Sequence, residues 1–476
     1  MKKNYLFGMA LMASLAFFSC TNEVIYVHDG ESSEQVSDDQ IITLQVSNGG
    51  DGLTTRAGRP LYSSEAKQTI ENVKLWICDN AGNVKYVTTI SNWDKDGSTP
   101  YTTGGHGREK TIVLNGDDKL AAGTYKIYAV GYSNSSDYDL TAVTEVKKTE
   151  EEGEGKYTFS EDKINMVLPI KEDATNKIGE EIFAGQMDLN VESGKGFREP
   201  IILNRQVAGA FVYVKDIPYK EGAKYLKLVA SAQNQSLVLG NFNSVDLANN
   251  GSNNGTNVKY VVNGTNGKSG SEPNEICTID LTNWFNEIKD SDGDGLIDLF
   301  SGDTESAENK YANWKKPAKY NGAALFEKGS AFGGEFVIPF AHVATKQTLT
   351  LQLTNEGGTE LRSWNINLAA TDEQVTSSEK ANIVTYWTGS AWGPYATAES
   401  EKSYSLVRNH LYGIGTRMYD NPSKPGVDPK PEDPDPDPTP TPDPNDPDDP
   451  ESLNNNQELT LRVNDNWEVI HGMELE

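Results

Sequence analysis

Cysteine is almost absent: three in 476 residues. Cys20 closes the N-terminal apolar run. Cys78 and Cys277 lie in separate apolar runs, "VKLWICD" and "EICTID". No pair has the spacing of a metal site, and the pattern predicts two buried free thiols rather than a disulfide. Histidine is scarce too, five in all and scattered. No Ser-His-Asp or Cys-His arrangement can be argued, and the expectation is a protein that is not an enzyme. "GTNGKSG" fails as a phosphate loop, because Val262 stands at the first Gly position and "GSEPNE" cannot start the required helix. Positive charge is short: 42 Lys and Arg against 70 Asp and Glu, a net charge of −28. This excludes nucleic acid and anionic membrane surfaces as electrostatic partners. Beyond the N-terminus no run is long and apolar enough for a membrane helix. Nor does any long stretch keep helical periodicity.

What is present is alternation and turn formers, with 43 Gly and 21 Pro. "MKKNYLFGMALMASLAFFSC" carries two lysines, an apolar core and a Ser-Cys end. It reads as a signal peptide over residues 1–19. Its ending fits a bacterial lipobox, which puts a lipid on Cys20 and ties the precursor to an outer membrane. Strand-like runs follow, among them "ENVKLWICD", "VKYVTTI", "GTYKIYAVGYS", "LNRQVAGAFVYVKDI", "YLKLVASA", "TLTLQLTNEGGTELRSWNINL" and "SLVRNHLYGIGTRMY". Gly, Asn and Asp clusters separate them, as hairpins require. "NAGN" is one such turn. "TNWFNEIKD" predicts a short helical turn. Many short strands at this spacing predict an all-β fold of β-sandwiches. The sequence suggests domains at 57–203 and 204–421.

The two ends are unusual. Near the start, "IITLQVS" places Ile42, Leu44 and Val46 on one face of a short strand. A Gly-rich stretch with "TTRAG" follows, so Arg56-Ala57 lies in a context where proteases cut. Near the end, residues 422–454 form a Pro/Asp tract. From Pro422 to Pro450, twelve of 29 residues are Pro and eight are Asp. Such a segment cannot bury apolar surface, and as polyproline II it spans roughly 3.1 Å per residue. Residues 455–476 then alternate: Leu459, Leu461, Val463, Trp467, Val469, Met473 and Leu475 share one face. A lone strand needs a sheet edge. Either it folds back on its own body, or it enters another molecule by strand addition. In the second case the N-terminal strand is a placeholder. A cut after Arg56 frees its groove, and the C-terminal donor strand of another copy fills it. Such contacts do not close, so they build a head-to-tail polymer.

The pieces "FFSC", "TTRAG", "ENVKLWICDNAGNV", "GTYKIYAVGYS", "NRQVAGAFVYV", "VRNHLYGIGTR", the Pro/Asp tract and "NWEVIHGMELE" stand in a specific order. In that order the chain resembles the type V fimbrillins, lipoprotein-derived pilins, and most closely their minor fimbrial shaft subunits. The resemblance implies two transthyretin-like β-sandwich domains and lipidation at Cys20. It also implies cleavage at Arg56-Ala57 by an arginine-specific protease and polymerisation by C-terminal donor strand. Implied partners are copies of the same chain, accessory tip and anchor subunits, and an adhesive ligand on a host or bacterial surface. The implied location is a cell-surface fimbrium. A tip or anchor subunit, or a stand-alone surface adhesin, is the alternative. The "TTRAG" Arg and the terminal strand together favour a repeating shaft subunit.

One further motif stands out. "DSDGDGLID" puts Asp290, Asp292, Asp294 and Asp298 at positions 1, 3, 5 and 9 of a Ca²⁺ loop. Gly295 stands at position 6 and the Leu296 carbonyl at position 7. Position 12 is Ser301, not a bidentate Glu, with Asp303 and Glu305 close in sequence. An acidic surface turn fits the same residues. No other cofactor is implied.

Overall fold

The computed structural model describes residues 38–47, 70–100, 107–146, 166–171, 181–240, 260–318, 326–341, 348–368, 384–394, 405–416, 449–454 and 458–463. Contacts divide the chain into two units, Met1–Ser37 and Asp38–Glu476. The described residues all belong to the second.

That unit is built from strands, as the alternation predicts. The first series is β1 (Gln40–Ser47), β2 (Asn72–Asp79), β3 (Val84–Ser91), β4 (Thr99–Pro100), β5 (Gly107–Leu114), β6 (Gly123–Tyr132), β7 (Val167–Pro169), β8 (Phe183–Val191) and β9 (Phe197–Arg205). All but β7 join one eight-stranded sheet in the order β3-β2-β6-β8-β9-β1-β5-β4. The β2–β3 hairpin turns at "NAGN". There Asp79 Oδ1 accepts the amides of Ala81 and Asn83, both at 2.9 Å. β2 is buried on both faces. Val73, Leu75 and Ile77 enter one core, while Trp76 and Cys78 enter another. Alternate side chains point to opposite faces, so a strand covered on both sides reads as one continuous apolar run.

The second series is β10 (Ala208–Lys215), β11 (Ala223–Val238), β12 (Tyr260–Val262), β13 (Gly264–Asp280), β14 (Ala331–Val337), β15 (Phe340–Ala341), β16 (Leu349–Asn355), β17 (Glu360–Leu368), β18 (Val384–Trp387), β19 (Trp392–Pro394), β20 (Ser405–Leu406), β21 (Leu411–Ile414), β22 (Glu451–Ser452) and β23 (Glu458–Val463). Its main sheet runs β13-β11-β16-β17-β23-β21-β10-β14, with β22 on β10 and β7 on β11. "GTNGKSG" lies inside β13 as extended chain, with no helix for a phosphate. The short turn expected in "TNWFNEIKD" is a 3-10 turn, Leu281–Asn283. Asp280 caps it through the Thr282 amide at 2.9 Å.

Two buried clusters result. One joins β1, β2, β5, β6, β8 and β9. The other joins the second sheet to the opposite face of β2 and β6, through Trp76, Tyr128, Val130 and Tyr132. Both Cys78 and Cys277 are buried and unbridged, as expected.

Candidate functional site: the slot held by the first strand

The first strand of the folded unit lies inside a sheet rather than at its edge. β1 pairs antiparallel with β5, from Gln40↔Leu114 to Ser47↔Gly107. On its other side it pairs parallel with β9, from Gln40↔Phe197 to Val46↔Leu203. Ile42, Leu44 and Val46, the face read from alternation, have no exposed surface. They pack in the cluster that holds Ile112, Leu114, Ile201 and Leu203. The entry to the strand is tied down. The Gln40 amide donates to the Leu120 carbonyl at 2.9 Å and accepts the Leu120 N–H at 2.7 Å. Lys119 Nζ lies 2.7 Å from Asp38 Oδ2, and this hydrogen bond holds the Asp38 carboxyl below its ordinary range.

The walls of the slot have their own supports. β5 and its hairpin partner β4 join the rest of the sheet through β1. Yet Arg108 of β5 donates from Nε to the Trp93 carbonyl at 2.9 Å and to Ser98 Oγ at 2.7 Å. Trp93 is fully buried, so this arginine fixes the β5 wall to the body independently of β1. Cys20, Arg56 and Ala57 lie outside the described residues.

At the other end, the chain returns to the body earlier than the tether reading supposes. Thr416 and Asp449 exchange two backbone hydrogen bonds, of 2.8 and 2.9 Å. Residues 417–448 therefore leave and re-enter at one point. From there β22 pairs parallel with β10. Ser452 Oγ donates to Asp216 Oδ2 at 2.7 Å, and the Leu453 N–H to the Lys215 carbonyl at 3.0 Å. β23 then enters the second sheet, parallel to β17 and antiparallel to β21. Leu459 and Leu461 are 2% and 1% exposed, in the chain's own core. The backbone of Val463 continues this strand opposite Tyr412. Alternation marks a half-buried strand but does not name the sheet that buries it. The linker expected over 422–454 thus has a docked end. Residues 464–476, with Trp467, Val469, Met473 and Leu475 of the expected donor strand, lie outside the described residues.

The acidic loop has the turns its glycines imply. Gly293 and Gly295 have φ of 77° and 87°, a region that favours glycine. Asp290 accepts both of their amides, at 2.8 and 3.0 Å. Carboxylate oxygens of Asp290, Asp292 and Asp294 lie within 4.8 Å of one another. Asp298 is not in that group. It is buried, and its Oδ2 accepts the Ser291 amide at 2.9 Å. Asp292, Asp294, Asp298 and Glu305 line one cavity of about 230 Å³. Three carboxylates thus fit a hard cation. The position-12 ligand is missing, with Glu305 facing the same space.

The sequence profile of the family described as fimbrillin-A associated anchor proteins Mfa1 and Mfa2 matches residues 39–294. The chain belongs to this family. The matched span includes β1, both walls of its slot and the first half of the acidic loop, as far as Asp294. The resemblance to type V fimbrillins holds, and the family description is of fimbrial proteins, not enzymes. No curated protein matches the chain closely enough to count as a relative. Among solved structures, the chain is similar to the fimbrial anchor protein Mfa2 from Porphyromonas gingivalis, with 12% identity, a TM-score of 0.32, and coverage of 79% of this chain and 90% of that one. The tip fimbrial protein Mfa3 from Porphyromonas gingivalis, with C-terminal truncation, matches at 12% identity, a TM-score of 0.33 and coverage of 79% and 94%. A fimbrial assembly protein from Parabacteroides distasonis matches at 11%, 0.33, and 79% and 89%.

In this member of the family, two of the motif pieces meet in space. Arg205 of "NRQVAGAFVYV" pairs with Glu181, and neither side chain has exposed surface. Its Nη1 donates to Asn409 Oδ1 of "VRNHLYGIGTR" at 3.4 Å. Arg408 Nη1 donates to the Gly240 carbonyl at 2.9 Å and to Gln206 Oε1 at 3.2 Å. This buried polar seam lies where β9 gives way to β10 and beside the start of β21. Sequence reasoning assigned no role to it or to Arg108, because a single charge in an alternating run looks like a solvent-facing residue.

Proposed function

We propose that the chain is a shaft subunit of a surface fimbria, exported as a lipoprotein with lipid on Cys20 and cut after Arg56. The observation that carries this reading is β1. It is the first strand of the folded unit, yet it sits between two strands that are paired with it and not with each other. Burying Ile42, Leu44 and Val46 is worth roughly 1.5–3 kcal/mol each. A slot emptied of them exposes core and takes another strand. Arg108 keeps its β5 wall in place meanwhile. Residues 464–476 of a neighbouring copy supply the replacement, with Trp467, Val469, Met473 and Leu475 at the strand period. Repetition makes a head-to-tail polymer that supports adhesion, with accessory tip and anchor subunits at its ends. An arginine-specific protease acts on the outer-membrane precursor.

The family description favours a second reading, an anchor subunit. An anchor keeps its lipid and its first strand. A synthetic 464–476 peptide separates the two. On the shaft reading it binds the Arg56-cleaved chain and not the intact one. Binding to neither form would sink the shaft reading.

A further inference from the structure

The cavity beside the acidic loop has walls and a mouth of different chemistry. Ile217, Phe285, Ile297 and Phe300 line it and are buried, so its walls are apolar. Asp292, Asp294 and Glu305 line it and are exposed, so its mouth is acidic. Among the apolar residues sits Asp298, which is only 4% exposed. Its Oδ2 accepts the Ser291 amide. Its other oxygen has no partner among the described residues, yet it is not sealed in protein, so it opens on the cavity. A carboxylate oxygen taken out of water without a partner costs free energy, and an arriving cation removes that cost. The remaining charged lining is Asp216, whose Oδ2 accepts the Ser452 hydroxyl, and Lys310. Lys310 Nζ lies over the Tyr311 ring, 5.5 Å from its centroid, and makes no ion pair with Asp298.

We propose that this cavity is a pocket for a lysine side chain presented by a partner protein. The apolar walls take the four-carbon stem, and the free Asp298 oxygen accepts a hydrogen bond from the ammonium. At about 230 Å³ the space is far above the roughly 10–15 Å³ that one water needs. A metal ion does not suit this part of the cavity, because it asks for several oxygens around it and gains nothing from apolar walls. Asp298 also stands outside the Asp290, Asp292 and Asp294 group, so its oxygen is not taken up by a cation held there. Arginine fits less well than lysine. Its guanidinium is a planar fork that pairs with both oxygens of a carboxylate, and Asp298 has one to offer. The exposed carboxylates at the mouth, in a chain of net charge −28, draw a basic surface toward the opening. The partner is therefore a protein with an exposed lysine, anchored by one side chain in a desolvated pocket. This inference needs neither the cut after Arg56 nor the shaft reading.

The test uses the full chain in chelator-treated buffer, with Nα-acetyl-lysine amide as the probe and ligand-observed NMR as the readout. The expected result is saturable binding, tighter than that of Nα-acetyl-arginine amide. The Nε-acetylated form of the lysine probe, which has no charge, should bind about tenfold less or weaker still. Asp298→Asn keeps an oxygen for the Ser291 amide and removes the charge. It should weaken the lysine probe by about tenfold or more, the worth of one hydrogen bond to a charged group. Should that variant not fold, Leu296→Trp fills the cavity from a half-buried position in its lining and should abolish binding. No binding of the lysine probe to the folded wild-type chain would overturn the proposal. Equal binding of the neutral probe, a preference for arginine, or unchanged affinity in either variant would overturn it too, because the probe is then held by something other than this pocket.

Discussion

Glu181 and Arg205 show how much one residue can carry. Both are wholly buried, and the guanidinium also lies 4.9 Å from the Phe183 ring centroid. Removing one partner leaves the other as an uncompensated buried charge. Glu181→Ala should therefore cost about 3–5 kcal/mol in denaturant unfolding, far more than a surface pair would. Cys78 offers a second check. Burial, with a smaller contribution from the Asp79 charge, pushes its thiol from 9.0 up to about 12. In the unfolded chain it ionises near the ordinary value. The folded state thus holds the proton longer, and its advantage is complete below about pH 9 and lost as pH rises toward 12. An alkylating reagent at pH 8 should leave Cys78 unmodified until denaturant is added, and stability should fall across this alkaline window. At the acidic loop, Ca²⁺ binding predicts a Tm that rises with millimolar Ca²⁺ and returns with chelator, and a rise lost in Asp292→Asn. A Tm indifferent to the ion would leave the loop as an acidic turn.

At the scale of elements, alternation was a good guide to strands and a poor guide to neighbours. "IITLQVS" and "QELTLRV" each announced a half-buried strand, and Leu44 and Leu461 are buried as that pattern requires. Nothing in their spacing says that β1 lies between β5 and β9, or β23 between β17 and β21. Those pairings join residues far apart in sequence, and shape rather than local pattern selects them. The Pro/Asp tract illustrates the limit. Its composition argues against a packed domain, but its return to Thr416 depends on two backbone hydrogen bonds with no signature in the sequence. Because Thr416 and Asp449 already face each other, a two-residue Asn-Gly turn should replace 417–448. Loop-closure entropy predicts a stability gain of roughly 2–2.5 kcal/mol, read from a denaturant midpoint. Deleting 458–463 should do the reverse, opening the second sheet and giving up roughly 1.5–3 kcal/mol for each of Leu459 and Leu461. Deleting 464–476 should leave stability unchanged.

Across the whole molecule, the shaft proposal joins the first strand, as one to be removed, to the tail, as its replacement. The signal peptide, Cys20 and "TTRAG" are local motifs of the sequence and lie outside the described residues. The slot was not legible in the sequence, since its walls are assembled from β5 and β9. The order of events follows from this arrangement. On the proposed shaft reading, the slot is closed while β1 is in place, so the uncut chain does not take a neighbour's strand there. Arg56→Ala should accordingly accumulate as a lipidated, monomeric precursor, visible as the absence of high-mass polymer on a non-denaturing gel. The most direct test of the central claim is the N-terminal sequence of the protein recovered from assembled fimbriae at the cell surface. The account predicts that it begins at Ala57, with β1 gone. A chain that begins at Cys20 and still carries Ile42, Leu44 and Val46 would contradict it.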